Sequence, residues 1–312
     1  MRTLSLKAIL NWVGSVLGLA GVAFVIIRLV KYGSQLTLGA LGPWRWLGLL
    51  VLALLYGISG MLLALAWREL LLYLGVSAGR RWAIGTYGVS QLAKYLPGNV
   101  FHLAGRQAIG VAAGIPAWPL AKSSIWELGT ISVTGSLFGL LVLPLLNPSV
   151  SEILPTGLFA VALFVVLWIA SRQLSSHIAR AVSLHAIFLA LSGLLFAGVL
   201  TLTAHPRTST GSLLVLLCGA YVTAWLAGLV TPGTPAGMGV REVVLYALLH
   251  ALVIQKDLLT VILIARMVTV TGDLCFYFVA SVFFVNQGRR QDNAALKVAS
   301  RTEIRARDQE SD

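Results

Sequence analysis

Charged side chains are scarce in this sequence of 312 residues, where they make up 11% of the chain, whereas soluble domains carry about 25%. Hydrophobic residues make up 58%, and uncharged stretches of about 20 residues recur, each long enough to cross a bilayer as a helix. This composition excludes an ordinary soluble domain, and the two-residue alternation of an outer-membrane barrel is also absent. We therefore predict an all-α, polytopic helical membrane protein.

Cysteine is almost absent, and both Cys218 and Cys275 fall inside predicted spans. They predict no disulfide framework, and no Cys or His cluster has the spacing of a zinc site, so we expect no metal. Enzyme signatures are missing too. The sequence has no Asp-rich pair for polyprenyl-phosphate chemistry, no Gly-x-Ser-x-Gly elbow and no P-loop. We expect no catalytic residue and no cofactor.

Acidic residues are outnumbered, with 11 Asp and Glu against 23 Lys and Arg and a formal net charge of +12. Cationic loops set the orientation of membrane proteins. Here the cations are spread among short loops and form no stripe, which excludes a nucleic-acid partner.

We expect the protein to lie in the cell inner membrane, with the N-terminus and the C-terminal tail on the cytoplasmic side. Residues 1–285 form the predicted transmembrane domain, and the polar segment 286–312 is a predicted disordered tail.

Seven apolar stretches are predicted spans, and tryptophans at both ends of the second one favour the membrane interface. In chain order the spans are 8–30, 46–67, 125–146, 158–170 (extendable back to 153), 181–204, 212–230 and 258–285.

Two proline-glycine interruptions break this pattern. The first joins two pieces of about 15 residues within 82–114, each too short to span, and predicts a re-entrant hairpin. The second lies at 231–242, ahead of a short helix predicted over 240–254. One interruption in each half resembles the paired broken segments of secondary transporters, which point to the binding site.

The first interruption combines freed backbone with nearby cations. Pro97 disfavours helical geometry in the preceding residue, and Gly98 permits a sharp turn. Asn99 is a suitable N-cap for the second piece, whose first N–H groups can bind an anion. Helical spacing aligns two polar faces at this hinge. One consists of Tyr87, Gln91 and Lys94, and the other of Asn99, His102 and Arg106. They favour a phosphate pocket, although Lys94 and Arg106 could instead snorkel to the headgroups.

The second interruption contains Gly233, Gly237 and Gly239, followed by Arg241 and Glu242. A carboxylate is favoured in the first turn of a helix, so Glu242 could be a plain helix-start signal. It could also titrate a proton or form a salt bridge to a cation of the last span.

Three further charges lie within or at the start of predicted spans, where charges are costly and face the protein interior. Arg266 and Asp273 lie two turns apart on the last span, and either an ion-pair role or a transport role fits them. Glu127 opens the span over 125–146, either at the interface or facing inward.

Motifs at both interruptions resemble those of a known family. Tyr95-Leu96-Pro97-Gly98-Asn99-Val100, with Arg106 downstream, is similar to a Tyr-(Leu/Ile)-Pro-Gly signature. The segment 231–242, ending in Gly237-Met238-Gly239-Val240-Arg241-Glu242, is similar to a Pro-Gly-Gly-Leu-Gly-Val-Arg-Glu signature. It departs at Thr234-Pro235-Ala236, where the signature has a compact Pro-Gly-Gly. Over about residues 6–285 the chain resembles the lysylphosphatidylglycerol synthase transmembrane region, also called the flippase-like family.

This resemblance implies a multi-span inner-membrane domain of bacteria or archaea. In members fused to a soluble aminoacyl-transferase, the domain moves an aminoacylated phospholipid between leaflets. The sequence contains no such transferase domain, so lysyl-lipid synthesis is not implied. Stand-alone members are linked to glycan or lipid-linked sugar pathways.

Three functions stay open. The favoured one is a lipid translocase that moves an anionic or aminoacylated phospholipid, or a polyprenyl-linked sugar, between leaflets. The alternatives are a membrane glycosyl or phosphoryl transferase with Glu242 or Glu127 as base, and a scaffold that recruits a synthase or glycosyltransferase. The predicted substrate-binding residues are Lys94, Pro97, Gly98, Asn99, His102, Arg106, Gly237, Gly239, Arg241 and Glu242, with Gln91, Glu127, Arg266 and Asp273 in support.

Overall fold

A computed structural model describes residues 27, 42–96, 100–147, 149–204, 213–231, 233–254 and 257–282. All but one residue of the predicted span 8–30 lies outside the described residues. The same holds for the hinge residues Pro97, Gly98 and Asn99 and for the predicted tail 286–312.

Within these described residues, six helices are long and apolar enough to cross a membrane. They are α1 (Pro43–Tyr73), α4 (Ala117–Leu137, continued by helical turns to Leu146), α5 (Ile153–Ile169, continued to Leu174), α6 (Ser176–Thr203), α7 (Leu213–Val230) and α9 (Asp257–Val282). Three shorter helices complete the described part: α2 (Arg80–Gln91, followed by a 3-10 turn over Leu92–Tyr95), α3 (Phe101–Ala112) and α8 (Val240–Leu249). The chain is an integral, multi-pass, all-α membrane protein, as the composition predicts.

Both interruptions are present as breaks between helices, the first between the short helices α2 and α3 and the second between the span α7 and the short helix α8. Leu96 is extended, with φ −70° and ψ 146°, so the first piece ends where the proline predicts. Helix α3 begins at Phe101 with Val100 at the N-cap position, while Asn99, the predicted N-cap, lies outside the described residues. The Val100 carbonyl accepts the first helical hydrogen bonds of α3, from the amides of Leu103 and Ala104.

The second interruption turns the chain through backbone conformations that suit glycine. Gly233, Gly237 and Gly239 all have positive φ. A Cβ on Gly237 would lie 2.7 Å from the Cα of Gly228 in α7, so the loop packs against the backbone of that helix. Helix α8 then begins after Gly239, whose N–H donates a short hydrogen bond of 2.6 Å to Oε2 of Glu242. The loop is therefore held at both ends.

Several helix ends differ from the predicted ones. The second predicted span ends at residue 67, but α1 continues to Tyr73. The charges in its last turns are paired there, since Arg68 donates to Glu69 and to the carbonyl of Ala78. The helix predicted over 240–254 is shorter than expected, because the regular pattern ends at Leu249 and turns follow.

Helices α1 and α9 touch backbone to backbone at the centre of the bundle. A Cβ on Gly272 would lie 2.5 Å from the carbonyl oxygen of Ala53 and 2.9 Å from the amide nitrogen of Gly57. Small residues permit such close approach between membrane helices. The contact fixes where the polar side chains that flank Gly272 on α9 can point.

Trp67 is a core residue, and its predicted place at the membrane interface is wrong. Its side chain is 1% exposed and stacks on Trp82 with the ring centroids 5.6 Å apart. The indole N–H donates to the hydroxyl of Ser123 on α4. The extension of α1 places Trp67 well inside the helix, where it joins α1 to α2 and α4.

Candidate functional site

A polar cavity lies where two interrupted elements meet. The first element consists of α2 with its 3-10 turn and α3, and the second consists of the loop after α7 together with α8. It has about 740 Å³ of empty space, a volume that includes solvent space at its open mouth. Lys94 and His102 line it from the first element, and Ala236 and Arg241 line it from the second. Tyr56, near the middle of the 31-residue helix α1, lines it as well, so the cavity reaches the interior of the bundle.

The first element is tied to the last span by Asp273. The Lys94 ammonium is 2.8 Å from Oδ2 of Asp273, and the hydroxyl of Tyr95 donates to the same oxygen. Asp273 is 5% exposed, so this carboxylate is buried with its partners. Lys94 lies outside the spanning helices, and burial lowers its pKa from the ordinary value, while Asp273 acts in the opposite direction. The pair thereby fixes the 3-10 turn over Leu92–Tyr95 to α9.

Arg106 lies behind the cavity wall rather than in it. Its side chain is 1% exposed, with the guanidinium 4.4 Å from the ring of Tyr87 and 5.2 Å from that of Trp67. One of its nitrogens is 2.7 Å from Glu127, but the alignment is not that of a hydrogen bond. Glu127 also accepts from the Tyr87 hydroxyl at 2.8 Å. Charge and ring contacts therefore hold Arg106 in place.

The second element is tied to the same span by Arg266. Its Nε donates to Glu242 at 2.8 Å, and another nitrogen donates to the carbonyl of Ala236 at 2.8 Å. Glu242 thus bonds both Arg266 and the Gly239 amide. The salt bridge from Glu242 to the last span, one of its predicted roles, is present.

Arg241 differs from the other three cations because no carboxylate pairs with it in the part of the chain that the structure describes. Its guanidinium carbon lies 4.6 Å from the ring centre of Tyr221 on α7, a cation–π contact. The residue is 6% exposed and lines the cavity, and its Nη2 is buried without a hydrogen-bond partner. A buried cation with a free donor is suited to an anion.

His102 lines the cavity from α3 and carries a second free buried atom, Nδ1. Burial, with Arg106 and Lys94 nearby, lowers the pKa of His102 well below its ordinary value, so the ring is neutral. A neutral imidazole can donate or accept one hydrogen bond without adding charge to the site.

The structure divides the predicted site residues into three groups. Those that line the cavity are Lys94, His102, Arg241 and all four supporting residues, Gln91, Glu127, Arg266 and Asp273. Those that shape the surrounding structure without lining it are Arg106, Gly237, Gly239 and Glu242. Pro97, Gly98 and Asn99 lie outside the described residues.

Aromatic residues at the site were not predicted as a group. Tyr56, Tyr87, Tyr95 and Trp225 line the cavity, and Tyr221 lies beneath Arg241. Tyr56 and Trp225 lie in apolar stretches that look like ordinary spans, so nothing in the pattern distinguishes them. Tyr87 belongs to the polar face predicted for the first interrupted element, and Tyr95 belongs to the first motif, although neither was predicted to bind substrate.

Within the described ranges, no three His, Cys, Asp or Glu side chains are grouped closely enough to hold a metal ion. Searches against protein-family models and against curated proteins gave no match for this sequence. Functional inference therefore depends on the cavity itself.

Proposed function

We propose that this protein is a lipid translocase, which moves the phosphate-bearing headgroup of a lipid through the cavity while the acyl or prenyl chains stay in the membrane. One observation carries the proposal: a cavity lined by charged and tyrosine side chains from both interrupted elements, inside a bundle of six apolar helices. Charged residues at such depth mark substrate pathways in membrane proteins. The resemblance to the flippase-like family favours the same function.

The apolar side of the cavity is consistent with a lipid ligand. Leu103 on α3 and Leu229 on α7 line it and are partly exposed, and Leu128 on α4 lines it and is 38% exposed. A headgroup could contact the polar wall while its chains run out past these leucines. The sequence has no ATP-binding motif, so we propose passive, ion-driven or partner-driven movement.

The enzyme alternative would use Glu242 or Glu127 as a base. Each of these carboxylates already contacts a buried arginine, Arg266 for Glu242 and Arg106 for Glu127. Each carboxylate is therefore already occupied by a positively charged partner. These contacts do not favour proton abstraction from a substrate by either residue.

We propose that the protein lies in the cell inner membrane, with the tail on the cytoplasmic side.

Leaflet exchange in reconstituted vesicles tests this proposal. Phosphatidylglycerol with a fluorescent headgroup-proximal label is placed in both leaflets, and dithionite then quenches the outer leaflet. Vesicles with the wild-type chain should lose nearly all fluorescence, whereas protein-free vesicles should lose about half. If the wild-type chain gives the protein-free result with both phosphatidylglycerol and a polyprenyl-phosphate sugar, without and with a proton or sodium gradient across the vesicle membrane, the proposal is wrong.

A paired variant checks that exchange uses this cavity. Lys94→Gln with Asp273→Asn removes both charges of one lining pair, and replacing a buried ion pair as a whole is often tolerated. Exchange should slow by at least about tenfold, equivalent to one lost charge-assisted contact. Arg81→Gln, which removes an exposed cation at the start of α2, should retain the wild-type rate.

A further inference from the structure

Charge balance within the cavity narrows the ligand class. Four buried or partly buried cations surround it, Lys94, Arg106, Arg241 and Arg266. Three carboxylates face them at 2.7–2.8 Å, Asp273 for Lys94, Glu127 for Arg106 and Glu242 for Arg266. Among the described residues around the cavity, one positive charge is left over, and it is the charge of Arg241.

An uncompensated charge is unfavourable in this setting. Arg241 is 6% exposed, and its contact with the Tyr221 ring offsets only part of the lost hydration. Its free Nη2 requires an acceptor that the described side chains do not supply. The same cavity wall carries the free Nδ1 of His102, and the Lys94 ammonium reaches it as well. An incoming anion would neutralise the site and accept hydrogen bonds from Arg241 and Lys94, and also from His102 in the tautomer that carries its proton on Nδ1.

We infer that the cavity selects a lipid headgroup with a single negative charge, a phosphodiester, and that Arg241 is the residue that binds its phosphate oxygens. This inference rests on the proposed function and names the substrate class of the same site. A phosphodiester carries one charge and offers two oxygens to a guanidinium, which suits the fork geometry of arginine.

Other lipid phosphates fit the charge count less well. A phosphomonoester carries about −1.5 to −2 near neutral pH, and a diphosphate diester carries two charges. Either would leave a net negative charge in a desolvated site. A zwitterionic headgroup brings its own cation and leaves the charge of Arg241 uncompensated. Two sources of phosphodiester remain, a glycerophospholipid such as phosphatidylglycerol and a polyprenyl-phosphate sugar.

Ligand-dependent thermal stability of the full chain in detergent tests the inference, because a ligand that binds the folded state raises its melting temperature. The probes are short-chain phosphatidylglycerol, polyprenyl-phosphate hexose, phosphatidic acid, polyprenyl-diphosphate hexose and phosphatidylcholine. At least one phosphodiester should bind at least about tenfold more tightly than the last three. The tighter of the two phosphodiesters identifies the source. Equal or tighter binding of phosphatidic acid or the diphosphate would overturn the inference.

Two variants move the charge count in opposite directions. Arg241→Gln should abolish the preference for a phosphodiester over phosphatidylcholine, whereas Arg241→Lys should keep part of it and Arg81→Gln should keep all of it. Asp273→Asn leaves a second positive charge on the lining and should shift the preference towards phosphatidic acid. A loss of packing alone would not produce that shift. If these variants do not fold, the wild-type probe series still decides.

The inference and the proposed function can fail separately. Exchange of all lipids at similar rates with no phosphodiester preference would refute the inference and leave the translocase. A clear phosphodiester preference with no exchange in vesicles would retain the binding site and refute the translocase.

Discussion

Arg106 shows how burial changes the role of a charged residue at this site. The spacing of the first interruption predicts a cation that binds phosphate, but the side chain is 1% exposed and enclosed by Tyr87 and Trp67. It acts through Glu127, which lines the cavity. Arg106 is therefore a positioning residue that fixes a carboxylate and the ring of Tyr87 at the cavity wall.

Removal of Arg106 alone should destabilise the protein more than removal of the pair. Arg106→Gln leaves Glu127 buried without its cation and should cost about 3 kcal/mol of unfolding free energy. Adding Glu127→Gln should restore part of this loss, because the uncompensated charge disappears. Thermal unfolding of the single and double variants in the same detergent measures the coupling. Strictly additive losses would show that the two residues do not interact.

At the residue scale, the sequence indicated which side chains of the site are polar, but it predicted only some of the ion pairs that they form. The Glu242 to Arg266 bridge was one of the roles predicted for Glu242, since a charged residue within a span should face the protein interior. Lys94 pairs with Asp273, although the two residues lie far apart in the sequence. That pairing depends on which helices are neighbours, and helical periodicity contains no such information.

At the scale of helices, the two interruptions position the site by different means. The first element is fixed by side chains, through Lys94, Tyr95 and Asp273. The second is fixed mainly by backbone, through Gly237 against Gly228 and the Gly239 amide on Glu242. Both are anchored to α9, which carries Arg266 and Asp273 on either side of Gly272. Helix α9 is thus the common support of the two elements.

The close contact of α1 with α9 should be sensitive to one added methyl group. Gly272→Ala would place Cβ 2.5 Å from the Ala53 carbonyl oxygen, and a backbone atom cannot move aside as a side chain can. We expect a loss of about 2 kcal/mol, typical of overpacking. Thermal unfolding and lipid exchange should both decline, since Asp273 is adjacent.

Gly129→Ala is the matched control for this substitution. Gly129 also lies in a spanning helix, α4, but is exposed and has nothing within 4 Å of an added Cβ. Stability and exchange should stay near the wild-type values, because alanine is the better helix former. Equal damage from both substitutions would mean that the α1–α9 contact has no special importance.

The lengths of the apolar runs predicted that the spanning helices exist, but they did not predict the residues at which the helices end. Apolar runs of about 20 residues correctly located the described spans, but α1 continues past residue 67 to Tyr73 and includes the charged residues Arg68 and Glu69. The short helix after the second interruption ends at Leu249, although apolar residues continue beyond it. Local pairing and turns decide such ends, and neither follows from hydropathy.

At the scale of the whole molecule, four of the six apolar helices in the described part of the chain, α1, α4, α7 and α9, line a site that has almost balanced charge. Three ion pairs make the buried charges tolerable, and one unpaired arginine provides affinity for an anion. This arrangement explains how a protein with 11% charged residues can hold several of them in its interior. Moving a headgroup would require it to exchange contacts with these pairs.

Native mass spectrometry of the purified full chain tests the central claim most directly, since that claim is one lipid phosphate bound by Arg241. The wild-type chain and Arg81→Gln should each retain one phosphodiester lipid per chain at collision energies that remove other lipids. Arg241→Gln should lose it while keeping its folded charge-state distribution. The same bound lipid in Arg241→Gln as in the wild type would contradict the account.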